Sequence, residues 1–130
     1  MSRGKILIVD DEADVLKVLQ LVLTRNGYEA VTAGSGMEGL VKAQGEGPDL
    51  ILLDIMMQEM DGWEVLKLLQ LDPQTRPIPV VMLSARTQPR DKIRGLQEGA
   101  VDYVTKPFVV KDILERIEAI MSSGREVKRS

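Results

Sequence analysis

The chain contains no cysteine and no histidine. The first absence excludes disulfides, zinc–thiolate and iron–sulfur sites and cysteine nucleophiles, and the second excludes imidazole metal ligands and histidine general bases. The longest purely apolar runs have four residues, far fewer than the ~20 that a helix needs to cross a bilayer. We therefore expect no membrane association, and we expect carboxylates, lysines, hydroxyls and backbone groups to carry any chemistry.

The 130 residues have the size of one domain, and the 44% of apolar and 28% of charged residues are typical of a globular protein. The net charge is −3, without a basic stripe, so we expect no direct binding to nucleic acid. Residues 1–5 lead straight into an apolar run without the hydrophobic region of a signal peptide, which predicts a cytoplasmic protein. We expect one domain over residues 1–122 and a tail or linker over 123–130.

Three segments consist of four apolar residues followed by one polar residue. They are residues 6–9 before Asp10, residues 50–53 before Asp54 and residues 80–83 before Ser84. Continuous apolar runs indicate strands covered on both faces, as in a parallel sheet between helices. Weaker strands near 29–33 and 101–105 are expected at the sheet edges, and segments of helical periodicity separate the strands. The order βαβαβαβαβα predicts an α/β fold with a doubly wound parallel sheet of five strands.

The polar residues at the carboxyl ends of these strands form the candidate site, because ligands of such sheets bind there. They are Asp10 and Asp11 after the first strand, Asp54 after the third, Ser84 after the fourth and Lys106 after the fifth. Considered alone, Asp11 is more simply interpreted as a helix N-cap, and Lys106 as a solvated surface charge. Together, three carboxylates repel one another unless cations neutralise them, and one Mg²⁺ or Mn²⁺ ion with one lysine gives −3 + 2 + 1 = 0. The constellation predicts an aspartate that accepts a phosphoryl group.

Four segments resemble the motifs of response-regulator receiver domains of two-component signalling, of the chemotaxis-regulator type. They are ILIVDDE at 6–12, LILLDIMMQEMDG at 50–62, VVMLSA at 80–85 and GAVDYVTKPF at 99–108. The resemblance spans residue 5 to about residue 121, and it implies a flavodoxin-like (βα)5 fold with strand order 2-1-3-4-5. It also implies a protein that is not a classical enzyme and catalyses only its own magnesium-dependent phosphorylation and dephosphorylation.

The same resemblance implies a role for each acidic residue of the site. Asp54 would be the phosphoryl acceptor, and Asp11 and Asp54 would bind Mg²⁺ directly. Asp10 would act through a metal-bound water, and Met56 would contribute its backbone carbonyl. Met56 and Arg86 also match two variable positions that tune the lifetime of the phosphoryl group.

The resemblance also implies roles for residues in and after the fourth and fifth strands. Ser84 would hydrogen-bond the phosphoryl group, Lys106 would pair with it, and the Lys106–Pro107 peptide bond would be cis. Tyr103 would turn inward when Ser84 is drawn toward the phosphoryl group. One departure is Gln58, where the family usually has proline, and it affects the stiffness of the loop rather than the chemistry.

The resemblance implies partners on both sides of the switch. A sensor histidine kinase or phosphotransfer protein would donate the phosphoryl group. A surface made of the fourth helix, the fifth strand and the fifth helix would then change, acting on a downstream effector or output domain or forming a phosphorylation-dependent homodimer.

Three other interpretations compete with this one. Residues 34–39 match the GxGxxG pattern of dinucleotide sites, but they follow a predicted edge strand and lack the rest of that fold. A flavin-binding domain needs N–H groups facing a phosphate after the first strand, where residues 10–12 are acidic. The main alternative is a receiver-like adaptor that binds partners without phosphorylation, although it would need none of the polar strand-end residues.

Overall fold

Five strands alternate with five helices in the computed structural model, which describes residues 2–85 and 89–129, with side chains of the last helix described to residue 123. The strands are β1 (Lys5–Val9), β2 (Glu29–Ala33), β3 (Leu50–Asp54), β4 (Val80–Ser84) and β5 (Asp102–Thr105). The helices are α1 (Ala13–Arg25), α2 (Gly36–Gly45), α3 (Gly62–Leu71), α4 (Pro89–Gln97) and α5 (Val110–Arg129). All pairs are parallel in the order β2-β1-β3-β4-β5, which confirms the predicted fold and both edge strands.

The register of the sheet brings the carboxyl ends of three strands to one level. Val9 pairs with Leu53, so the aspartates that follow them, Asp10 and Asp54, lie side by side. Asp54 in turn pairs with Leu83, one residue before Ser84. The polar ends of β1, β3 and β4 therefore meet at the same edge, as parallel pairing requires.

Two apolar clusters cover the two faces of the sheet. Leu7 and Val9 of β1 pack with the residues of α2 and α3, whereas Ile6 and Ile8 pack with those of α1 and α5. Because both faces are buried, the central strands have no polar alternation, which explains their continuous apolar runs.

Local hydrogen bonds set the helix ends. Asp61 caps α3, since its Oδ1 accepts from the Glu64 N–H at 3.0 Å. Helix α1 ends at Arg25, and its C-cap Asn26 is followed by Gly27 with φ of 90°, a conformation that favours glycine. The N-cap of α1 is Glu12, without a side-chain cap bond, so the interpretation of Asp11 as a helix cap is wrong.

Helix α5 continues to Arg129, past residue 122, so the backbone of the predicted tail is helical, and the domain boundary stays a prediction. Arg116 ties this helix to the sheet through two 2.8 Å contacts with the carboxylate of Asp102. In the part of the chain that the structure describes, no helix is both long and apolar enough to span a membrane.

Candidate functional site

The ends of β1 and β3 bring two buried carboxylates together. Asp10 is 0% exposed and Asp54 is 2% exposed. One carboxylate oxygen from each of Asp10, Glu12 and Asp54 lies within 4.8 Å of the other two. Sequence reasoning missed Glu12, although its place two residues after Asp10, before α1, was the signal that could have found it.

Lys106 lies over this acidic cluster. Its Nζ is 2.7 Å from Asp10 Oδ2, 3.3 Å from Asp54 Oδ1 and 3.4 Å from Glu12 Oε1. The Lys106 N–H donates to the carbonyl of Ser84 at 2.7 Å, which fixes the lysine backbone beside the end of β4. The Lys106–Pro107 peptide bond is cis.

Burial controls the electrostatics of this cluster. It raises the pKa of Asp54 from 3.8 to about 6, and the neighbouring charge of Asp10 adds to the increase. The ammonium group of Lys106 and the backbone N–H of Met56 act in the opposite direction. Burial also lowers the pKa of Lys106, but its hydrogen bond and charge attraction to Asp10, together with Asp54, leave it above the ordinary value. The lysine is thus a fixed cation, yet it does not fully compensate the carboxylates.

The Asp54 carboxylate has capacity for a further positive partner. Its Oδ2 is buried and, among the described residues, has no hydrogen-bond partner, a state that carries a desolvation penalty. The surrounding donors are carboxylate oxygens, which hard cations prefer. The residues present therefore fit a magnesium ion.

Asp11 and Met56 lie beside the cluster rather than within it. The exposed Asp11 accepts a 3.1 Å hydrogen bond at Oδ2 from the N–H of Gln58. Met56 has an exposed side chain, and its backbone amide lowers the pKa of Asp54. Direct metal binding by Asp11 and by the Met56 carbonyl remains a prediction. Both residues line a cavity of about 450 Å³, together with Ile55, Met57, Gln58, Asp61 and Trp63.

The remaining predicted residues are buried next to the strand ends. Ser84 is 0% exposed and pairs with Thr105 at the end of β5. Tyr103 is 5% exposed and belongs to the core on the α2 and α3 side of the sheet, so its ring already faces inward. Arg86 lies outside the described residues.

Comparison with known proteins places these features in context. Residues 6–118 match the model of the response regulator receiver domain. The chain is 47% identical over 117 residues to the alkaline phosphatase synthesis transcriptional regulatory protein PhoP of Bacillus subtilis, which covers 90% of this chain and 48% of that protein. It is 44% identical over 117 residues to the phosphate regulon transcriptional regulatory protein PhoB of Klebsiella pneumoniae, a match that covers 90% of this chain and 51% of that protein. The chain thus spans about half the length of the curated relatives it matches.

Solved structures show the same architecture. The chemotaxis protein CheY4 of Vibrio cholerae superposes with a TM-score of 0.85 at 33% identity, covering 90% of this chain and 98% of that one. A putative response regulator from Chloroflexus aurantiacus superposes with a TM-score of 0.86 at 35% identity. The match covers 92% of this chain and 98% of that one.

Proposed function

Because this chain belongs to the response regulator receiver domain family, we propose that it is a switch controlled by phosphorylation of Asp54. One observation carries the proposal: Asp54 Oδ2 is buried and finds no hydrogen-bond partner among the residues that the structure describes, while Oδ1 lies 3.3 Å from Lys106 Nζ. In a chain without histidine and cysteine, a carboxylate at this position is the natural nucleophile for phosphorus.

The proposed reaction moves a phosphoryl group from a phosphohistidine of a sensor kinase or phosphotransfer protein. An Asp54 carboxylate oxygen attacks phosphorus, and a P–O bond forms while the P–N bond of the donor breaks. The imidazole leaves with the electron pair of that bond and takes up a proton from solvent. Hydrolysis later returns the carboxylate and releases inorganic phosphate. The chain is not a classical enzyme in this scheme, since it acts on its own side chain.

The residues around Asp54 each contribute to this reaction. Lys106, held by Asp10 at 2.7 Å, supplies positive charge to an incoming phosphoryl oxygen, and Ser84 supplies a hydroxyl. Asp10, Asp11, Asp54 and the Met56 carbonyl would hold Mg²⁺, with Glu12 near enough to join them. When bound, the ion supplies positive charge that offsets the carboxylates and the charge of the transferred group.

A path from the site to the surface passes through Tyr103. The ring contacts α4, because a Cβ built on Gly95 would lie 3.5 Å from Tyr103 Cδ2. Movement of Ser84 on phosphorylation would therefore change the packing of the inward-facing Tyr103 ring against α4, and with it the face formed by α4, β5 and α5. Since the curated relatives are named transcriptional regulators and are about twice as long, we propose that this face acts on an output domain or separate effector, or pairs with a second copy. A cytoplasmic location stays a prediction.

Intact-mass measurement tests the proposal. The purified chain is incubated with Mg²⁺ and acetyl phosphate, beside an Asp54→Asn variant and a sample treated with EDTA. We expect a gain of one phosphoryl group in the first sample alone. A gain retained in Asp54→Asn would place the acceptor elsewhere. Absence of both phosphorylation and Mg²⁺ binding would favour the adaptor that acts without phosphorylation.

A further inference from the structure

The backbone of the β3–α3 loop binds the carboxylate of Asp11. The N–H of Gln58 donates to Asp11 Oδ2 at 3.1 Å, although the two residues are 47 positions apart. Within the residues that the structure describes, this is the hydrogen bond that orients the Asp11 side chain, which is otherwise exposed. Without it, an exposed aspartate would populate several rotamers.

The shape of the loop explains why this N–H faces Asp11. The Met60 N–H donates to the Gln58 carbonyl at 2.8 Å, and Glu59 between them has φ of 64°, the geometry of a γ-turn. The Gly62 N–H closes the base of the loop on the Ile55 carbonyl at 2.8 Å. The tight turn holds Gln58 at the tip of the loop, next to the end of β1.

Proline at position 58 cannot make the bond to Asp11, because it has no N–H. The sequence departs from the resembled receiver pattern at this very position, where the family usually has proline. The Gln58 side chain itself is exposed. The contribution of Gln58 to the site therefore comes from its backbone amide.

We propose that Gln58 is a positioning residue for the metal site. Its amide holds the Asp11 carboxylate beside Met56 through Oδ2. The other oxygen, Oδ1, is then free to bind a divalent cation. Binding a cation then costs less side-chain entropy than it would for a freely rotating aspartate. This inference rests on the proposed function, since it assumes that Asp11 contributes to Mg²⁺ binding.

A matched pair of substitutions separates the amide from the side chain. Gln58→Pro removes the N–H, whereas Gln58→Ala removes the side chain and keeps the N–H. Trp63, the single tryptophan of the chain, lines the same cavity as Asp11 and Gln58, so its fluorescence can follow Mg²⁺ titration. We expect Gln58→Pro to raise the dissociation constant for Mg²⁺ about fivefold to tenfold, and Gln58→Ala to stay within about twofold of the unmodified chain.

Two further measurements distinguish positioning from a general loss of structure. Because proline also removes a hydrogen-bonded N–H, the thermal midpoint of Gln58→Pro without metal is expected to lie below that of Gln58→Ala, so Mg²⁺ affinities are compared at a temperature at which both variants are fully folded. In an Asp11→Ala background, Gln58→Pro should leave the remaining Mg²⁺ affinity unchanged. If Gln58→Pro does not fold, a backbone ester at position 58, made by semisynthesis, removes the same N–H without restricting φ.

Specific outcomes would overturn the inference. Equal Mg²⁺ affinity of the proline and alanine variants, or tighter binding by Gln58→Pro, would show that the amide does not assist the cation. An effect of Gln58→Pro that persists in the Asp11→Ala background would show that it acts elsewhere. If the unmodified chain bound no Mg²⁺, the inference and the magnesium part of the proposed function would fail together.

Discussion

The ammonium group of Lys106 lies 2.7 Å from the carboxylate of Asp10, although their strands, β5 and β1, are separated in the sheet by β3 and β4. The long lysine side chain spans the ends of the two intervening strands. In doing so it passes within 3.3 Å of Asp54, so one cation contacts carboxylates from two strands. The pair is a structural bridge over the site as well as a charge pair.

Removing this cation should destabilise the chain. We expect Lys106→Met to lower the free energy of unfolding by about 3 kcal/mol at pH 7.5 in EDTA, because it leaves buried carboxylates without their partner. Urea denaturation measures the change. Lys111→Met is the control, since Lys111 is exposed, and it should change stability by less than about 0.5 kcal/mol. Similar losses in the two variants would contradict the prediction.

The buried Asp54 should make stability depend on pH. Its pKa rises from 3.8 to about 6 on folding, so between these values the folded state binds more protons than the unfolded state, and stability falls as pH rises through this window. Asparagine does not titrate. We therefore expect the Asp54→Asn variant to be more stable than the unmodified chain above pH 6, by roughly 3 kcal/mol, with the difference vanishing below about pH 4.

Urea denaturation of both chains from pH 4 to pH 8, in EDTA, follows this difference. A gap between the two chains that stayed constant across the range would argue against a raised pKa of Asp54. Added Mg²⁺ should narrow the gap at pH 7.5, since a ligand that binds the folded state stabilises it.

Close packing at the base of the β3–α3 loop should make Gly62 intolerant of a side chain. A Cβ at this position would overlap the Asp54 carbonyl oxygen and the Ile55 backbone. We expect Gly62→Ala to cost about 2–4 kcal/mol by forcing these backbone atoms apart. The matched control is Gly34→Ala, where a Cβ meets nothing within 4 Å. Thermal denaturation of the two variants compares them, and equal midpoints would contradict the expected overlap.

The N-cap of α3 should contribute measurably to stability. Asp61 Oδ1 accepts from the Glu64 N–H at 3.0 Å, so Asp61→Ala should cost about 1 kcal/mol. Asp61→Ser retains a capping oxygen and should cost less. Chemical denaturation of both variants measures the difference, and an alanine variant as stable as the serine variant would show that the cap bond is not what Asp61 contributes.

Much of the fold could be predicted from the sequence, because each central strand has a physical signature. The runs 6–9, 50–53 and 80–83 are apolar throughout, and such runs are stable as strands only between two covering layers. The polar residue after each run marks the strand end, so Asp10 and Asp54 could be placed together before the structure was known. The strand order itself came from the family resemblance rather than from periodicity.

The detailed contacts of the site could not be predicted in the same way. Asp11 and Glu12 are adjacent acids after one strand, and their types do not reveal which faces Lys106. The direction of the chain entering α1 decides this, and it places Glu12 3.4 Å from the lysine while Asp11 turns toward Gln58. The bond to Gln58 depends on a turn with positive φ at Glu59. A glutamate in the sequence does not predict that conformation.

The order of the site residues along the chain has a consequence for incomplete chains. Asp10, Glu12 and Asp54 all precede Lys106, which follows β5, the last strand of the sheet. A chain that stops between residues 54 and 105, whether by truncation or at an intermediate stage of synthesis, carries the three acids without the lysine that bridges them. In such a fragment mutual repulsion opposes the close approach of the carboxyl ends of β1 and β3. The residue that compensates the acids is thus the last of the four to be added during synthesis of the chain.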